Sequence, residues 1–419
     1  MRGQRCKGFR DLSPEEMARF RGIERVFTDC CVTWGYREVR TPTLEYLHLF
    51  TATGTLTPGM LGKVYSFLDW DGWSGQRVVL RPDGTIPVAR YYIDNLAAAG
   101  FAKLFYTTSI FRFEDTGRES RERWQGGVEL IGAGSPAGDV ELITMALGVL
   151  ARLGIKKMNL RLSHAGLLRG LLARLKLSPR EQDDVLDQIL DGDGEALARI
   201  KSERPGLDKA LRSLLELKGN SSGILRNVRA LFNHGLPEME AALDNLISIV
   251  DCLETLGYRY RIDISSGRGF EYYTGLIFQL FVGEVKVGGG GRYDALIPLL
   301  GGDDVPAAGF ALYFDHLVDL MAPAALPAAT APRVLIRAVP ATLGRAFGVA
   351  ARLQEAGYRA EICHGAEIAD DIRWLIEINE QAPVFVARDR VAQTGAECDT
   401  IEQLLPLLGE VDGNQDRTA

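Results

Sequence analysis

One stretch decides how the chain can be divided. Residues 321–332, MAPAALPAATAP, are small, proline-rich and uncharged, the composition of an interdomain linker. At 419 residues the chain also exceeds what one hydrophobic core usually supports. Two bodies are expected, 1–320 and 333–412, joined by that linker and followed by a frayed tail at 413–419.

In the first body, 14–34 carries Met17, Phe20, Ile23, Val26, Phe27 and Cys30 at helical spacing, with Ser13 as N-cap and Glu16 at the capping-box position. Gly35 ends the helix. Residues 36–40 then alternate as a strand that stops at Pro42, because proline cannot donate to a ladder. Residues 64–68 and 76–81 read as a hairpin through Asp71-Gly72, and 104–114 with 124–132 as a second antiparallel pair. An apolar helix over 137–153 is expected to cover one face of the sheet these strands build. From 167 to about 256 the periodicity is helical and highly charged, which reads as an insertion. Strands return at 259–265, 274–282 and 284–287, ahead of a glycine run, GGGGRYDALIPLLGG. Beyond the linker, VLIRAV, a helix through Gln354, YRAEIC, a helix through Ile378 and PVFVAR alternate strand with helix, which implies a small parallel α/β domain.

Composition narrows the function classes. No apolar run approaches the roughly 20 residues of a membrane span, and the basic N-terminus has no apolar h-region, so a cytoplasmic protein without a membrane role is expected. The net charge of -7 shows no basic excess of the kind a dedicated nucleic-acid binder carries. The six cysteines contain no CxxC pair, which argues against a zinc site or a disulfide framework and for reduced, mostly buried thiols.

Chemistry enters with arginine. Arg81 in LRPDGT and Arg112 in IFRFED fall on expected core strands, and Arg268 lies between SSG and GFEYYTG. A guanidinium stays charged, so burying one demands a partner. Two partners meet that demand: a ligand carboxylate or phosphate, or a neighbouring acid such as Glu129.

KGFRDLSPEE, GYREVRTPTLEY, RPDGT, FRFED, QGGVELIG, RGFEYYTG and GGGGRYDAL stand in order along the chain. Together they resemble class II aminoacyl-tRNA synthetases of the histidyl type. The resemblance implies an α+β fold: a class II synthetase-like antiparallel sheet flanked by helices, a helical insertion, and a small C-terminal α/β domain of the anticodon-binding kind. It also implies a self-dimer through the opening helix, strand and proline. Position by position, it places Asp83, Thr85, Gln125 and Glu129 around the amino group of histidine, Arg112 on its carboxylate, Arg268 at the activation step, and Tyr272 and Tyr273 along the imidazole. The chemistry agrees, since carboxylates suit an ammonium group and tyrosines give apolar walls with polar ends. For the tyrosine pair, core packing is the competing reading.

The departures concentrate on the ATP side. Where the family closes its third motif with glycine and an arginine on the γ-phosphate, this chain reads GFALYFDHL, with Tyr313 and His316 at those positions. A neutral imidazole cannot replace a five-donor cationic fork, and losing such a contact costs on the order of 3 kcal/mol. Asp83 is one methylene shorter than the family's glutamate, and the loop DTGRESRER is about a residue short, with Arg118 left for the loop-arginine role.

The insertion, from LRLSHAGLLRGLL, is similar to that of regulatory subunits of ATP phosphoribosyltransferase, a catalytically inert family on the same scaffold. That resemblance implies no catalytic residues, no cofactor and no metal. It implies a short-form catalytic subunit as partner in a hetero-octamer, activation of that subunit, and relay of histidine feedback inhibition in the first step of histidine biosynthesis. The alternative is an active histidyl-tRNA synthetase that activates histidine with ATP and charges tRNA. From 333 to 419 there are 9 Arg, no Lys and 14 Asp plus Glu, poor ground for RNA phosphates, so no nucleic acid is expected. His48, His164, His234 and His364 lack metal-ligand spacing and read as structural.

Overall fold

The computed structural model describes residues 3–54, 56, 61–69, 75–113, 120–172, 178, 218–231, 237–264, 273–321, 332–364 and 372–409. The chain divides into two compact units, Met1–Ala325 and Leu326–Ala419. Most of the linker, the tail at 413–419 and much of the expected insertion lie outside the described residues.

The first unit opens with the helix Pro14–Thr33, whose start is set by the capping box: Ser13 Oγ accepts from Glu16 N–H at 3.2 Å and Glu16 accepts from Ser13 N–H at 2.7 Å. Phe20 and Phe27 on its buried face meet Phe314 edge-on, at centroid distances of 5.7 and 5.5 Å. This fixes the helix over the start of Phe314–Leu320.

Behind it stands a nine-stranded sheet in the order Arg37–Glu38, Ala102–Phe111, Glu122–Ile131, Ala307–Tyr313, Val285–Arg292, Leu276–Val282, Asn159–His164, Tyr260–Asp263 and Lys218–Gly219. The six strands from Ala102–Phe111 to Asn159–His164 pair antiparallel throughout. Parallel pairs occur only toward the edges, Arg37–Glu38 on Ala102–Phe111 and Asn159–His164 on Tyr260–Asp263. The helix Pro136–Arg152 contacts Ala307–Tyr313 and supplies buried Leu142, Ile143, Met145 and Leu150. Three helices of the insertion region are described, Ala165–Leu172, Ser222–Leu231 and Pro237–Thr255.

The strand expected at 284–287 extends further than the sequence marks it: Val285–Arg292 is one continuous strand through all four glycines. A Cβ at Gly288 would stand 2.6 Å from Ala311 O, and one at Gly289 would stand 2.7 Å from Phe278 O. The strands on both sides close in where side chains would normally hold them off. Ser66–Leu68 pairs with Arg77–Leu80 as the hairpin reading requires, and Leu44–Tyr46, unanticipated, completes a three-stranded sheet with Arg77–Leu80 at its centre.

The second unit also departs from expectation. Its five strands run Arg359–Ile362, Arg333–Ala338, Trp374–Ile378, Phe385–Asp389 and Thr394–Cys398 across the sheet. The first two pairings are parallel and the last two antiparallel, so the sheet is mixed. The stretch through Ile378 is a strand, not a helix: WLIEI is short, rich in isoleucine and buried on both faces, a pattern that periodicity alone cannot separate from a buried helix. Of the thiols, Cys30, Cys31 and Cys398 are buried while Cys6 and Cys252 are exposed. No helix among the described residues is long and apolar enough to cross a membrane, and no group of three or more His, Cys, Asp or Glu among them could hold a metal.

Candidate functional site

A cavity of about 260 Å³ lies over the middle strands of the first unit. Sheet register gives it two ends. Glu129 pairs with Gly309 on one row, and Gln125 pairs with Tyr313 four residues away along the same strands. Gly309 leaves the floor open there, because a Cβ would stand 2.8 Å from Tyr293 Oη and would also overlap the Glu129 carboxylate.

At the Glu129 end the groups are buried and tyrosine-lined. Glu129 is 1% exposed, Tyr293 Oη donates to its Oε2, and its Oε1 has no hydrogen-bond partner. Burial pushes its carboxyl up to about 8. Asp83 accepts from Ile86 N–H at 2.9 Å, which helps start the helix Thr85–Asn95. Burial raises its pKa, with the Arg112 guanidinium pulling the other way. Gln125 donates from Nε2 to Tyr106 Oη at 3.1 Å, and Tyr273 is buried with its ring centroid 6.3 Å from that of Tyr293. Glu129 is therefore biased toward the neutral acid until a cation reaches it.

The Tyr313 end is more open. Strand Ala307–Tyr313 passes directly into helix Phe314–Leu320, the strand-to-helix passage that the synthetase resemblance implies at GFALYFDHL. His316 Nδ1 lies 2.6 Å from Lys286 O. A carbonyl only accepts, so Nδ1 carries the proton, and the imidazole presents Nε2 as its other nitrogen. The Tyr313 ring meets it edge-on at 5.7 Å. Asp315, raised in pKa by burial, accepts from Trp124 N–H and faces Arg10 Nη2 at 3.5 Å. Arg112, Arg123 and Lys286 add positive charge to the lining.

Of the residues expected at the site, Asp83, Thr85, Arg112, Gln125, Tyr273, Tyr313 and His316 line this cavity, and Glu129 lies behind Tyr293. Arg268, Tyr272 and Arg118 fall outside the described residues. Arg112 stands one residue past Ala102–Phe111 and donates from Nε to Pro82 O at 2.7 Å. Arg81 is a correction. It is 6% exposed and meets no ligand space; its guanidinium donates to Ser109 O at 2.8 Å, Thr41 O at 2.9 Å and Pro42 O at 3.1 Å, so backbone carbonyls take the role assigned to an anion.

Sequence reasoning missed Tyr293, Tyr106 and the buried pair Arg292–Asp139, whose Nη2 and Oδ1 are 2.9 Å apart. The pair ties helix Pro136–Arg152 to the glycine strand beside Tyr293, and burial pushes Asp139 up to about 6 against the pull of Arg292. Its signal was available, an aspartate inside an apolar helix and an arginine closing GGGGR. His164 is buried, accepts from Gly166 N–H at 3.1 Å and is depressed to about 4 by burial, a structural role.

Residues 8–317 match the Histidyl-tRNA synthetase family. An ATP phosphoribosyltransferase regulatory subunit of Dehalococcoides mccartyi (strain CBDB1) is 52% identical over 409 residues, spanning 97% of this chain and 99% of the relative. The chain belongs to the regulatory-subunit branch of the histidyl-tRNA synthetase family. A Histidine--tRNA ligase of Methanosarcina acetivorans is 31% identical over 436 residues, covering 98% of this chain and 99% of that protein. Among solved structures, an ATP phosphoribosyltransferase regulatory subunit/histidyl-tRNA synthetase from Bacillus halodurans C aligns with a TM-score of 0.77 over 91% of this chain and 100% of its own, at 24% identity. The class II synthetase-like α+β fold expected from the motifs is the fold of this branch.

Proposed function

We propose that the chain is a non-catalytic regulatory subunit. It assembles with the short-form ATP phosphoribosyltransferase as a hetero-octamer, activates it and relays feedback inhibition by histidine. Histidine occupies the cavity, its ammonium between Asp83 and Glu129, its carboxylate on Arg112, its imidazole against Tyr273; the family resemblance adds Arg268 and Tyr272. The carrying observation is His316: where a synthetase needs a cationic fork for the nucleotide, an imidazole stands with its proton-bearing nitrogen turned to Lys286 O. The likeness to the Dehalococcoides mccartyi protein supports the partner. A self-dimer through the opening helix and strand and a cytoplasmic location complete the reading.

The test is the activity of the short-form catalytic subunit with and without this chain, titrated with histidine. Activation that histidine reverses is expected; no effect on that enzyme sinks the reading. The 31% identity to a Histidine--tRNA ligase supports the second reading, active synthetase chemistry. Histidine-dependent exchange of pyrophosphate into ATP separates the two, and none is expected here.

A further inference from the structure

A second concave site lies elsewhere in the first unit and shares no lining residue with the cavity. It is a groove of about 680 Å³, formed where Asn159–His164 and Tyr260–Asp263 run parallel beside the turn at Gly283. Five cations line it, Lys156, Lys157, Arg161, Arg259 and Arg261, against one acid, Glu284. None of the five forms an ion pair among the described residues. In a chain of net charge -7, that local excess is not a reflection of composition.

The spacing is specific. Arg161 and Arg261 are register partners on neighbouring strands, roughly 4.8 Å apart in backbone terms. Like charges placed side by side destabilise a sheet unless something neutralises them. Arg161 is also fixed in place: its guanidinium lies over the Phe281 ring, 4.1 Å from the centroid. Stacking of that kind orders the planar fork while leaving its N–H edge for an acceptor. Two adjacent forks with lysines beside them match consecutive phosphoryl groups, each with several acceptor oxygens. The groove volume falls in the range of small-molecule sites and favours a compact ligand over a polymer.

We propose that this groove binds a small anion carrying two or more phosphoryl groups, inorganic or part of a nucleotide. The proposal does not rest on the regulatory reading of the cavity. Calorimetry on the full chain with sodium tripolyphosphate tests it. One site per chain is expected, with affinity falling steeply as salt rises. Arg161→Gln combined with Arg261→Gln should weaken it by about a hundredfold while thermal unfolding is unchanged. Should that pair perturb folding, Lys156→Gln with Lys157→Gln, both exposed, should weaken binding by about tenfold. ADP binding lost in the same variants assigns the site to nucleotides, and tripolyphosphate binding without ADP binding assigns it to inorganic polyphosphate; either supports the proposal. Failure of the wild-type chain to bind either anion overturns it. So does binding that these variants leave intact but Arg112→Ala abolishes, and so does tighter binding of a single-stranded RNA oligonucleotide than of tripolyphosphate.

Discussion

The two ends of the cavity stand on different terms. At the Glu129 end, a buried acid accepts from a buried tyrosine hydroxyl, and a buried ion pair is anchored at the adjacent residue of the chain, Arg292. At the Tyr313 end, half-exposed side chains meet through one imidazole–carbonyl bond and an edge-on ring. The rows lie about 13 Å apart along the strands. A change on the nucleotide side can therefore leave the amino-acid side standing, because four residues of strand separate the two rows.

The sharpest way to break this contrast is Asp139→Ala, which strips Arg292 of its buried partner and leaves it only the more exposed Asp294. Such a loss costs about 3–5 kcal/mol, read from urea unfolding. A loss under about 1 kcal/mol would mean that the Glu129 end is not held from behind as described. Next comes Glu129→Gln, which keeps shape and removes the charge. Histidine affinity measured by calorimetry should fall by about thirtyfold, near 2 kcal/mol; unchanged affinity would move the ammonium elsewhere.

Acidity gives the third test. Glu129 is raised to about 8, so below that pH the empty site holds the neutral acid, while an ammonium ligand needs the carboxylate. Histidine affinity should rise with pH up to about 8, by at most about tenfold per unit, with proton release on binding visible in buffers of different ionisation enthalpy. The sign for folding is opposite: a carboxyl raised above its unfolded value of about 4.3 contributes full stability below that pH, and the contribution declines as pH rises through about 8. The smallest effect is expected at the open end. His316→Arg restores a fork and should improve ATP affinity by about fivefold in equilibrium dialysis; no gain would place the nucleotide defect beyond this residue.

Much of this was legible in the sequence because local rules and tertiary demands agree there. Ser13 and Glu16 announce a helix start and make one. The synthetase resemblance implies a strand entering a helix at GFALYFDHL, and Tyr313 and His316 land together on the cavity as a result. What escaped depends on neighbours distant along the chain. For Arg81 the sequence left a ligand anion and a neighbouring acid as the partners to expect, because no local pattern reveals that Ser109, Thr41 and Pro42 turn their carbonyls toward it. The strand signal stops at Val287 because glycine carries none of its own, and the conformation of 288–291 is decided by the strand partners 276–282 and 307–313. Tyr293 lies within GGGGRYDAL, but its role depends on Glu129, 164 positions away.

The insertion leaves the sheet after Asn159–His164 and returns on Tyr260–Asp263, and those two strands are hydrogen-bonded neighbours, Leu160 beside Tyr260. Because the pair is parallel, the segment leaves past His164 at one end of the pair and re-enters at Tyr260 at the other, about 13 Å away along the strands, so it must cross over the sheet. Doubling the length of a flexible connection adds only about 0.6 kcal/mol of closure entropy. Length is thus cheap in this segment but contact is not: Lys218–Gly219 joins the sheet beside Tyr260–Asp263 and Pro237–Thr255 packs on Pro136–Arg152, so a relative's version grafted between the same two strands must renew both contacts to keep the scaffold intact.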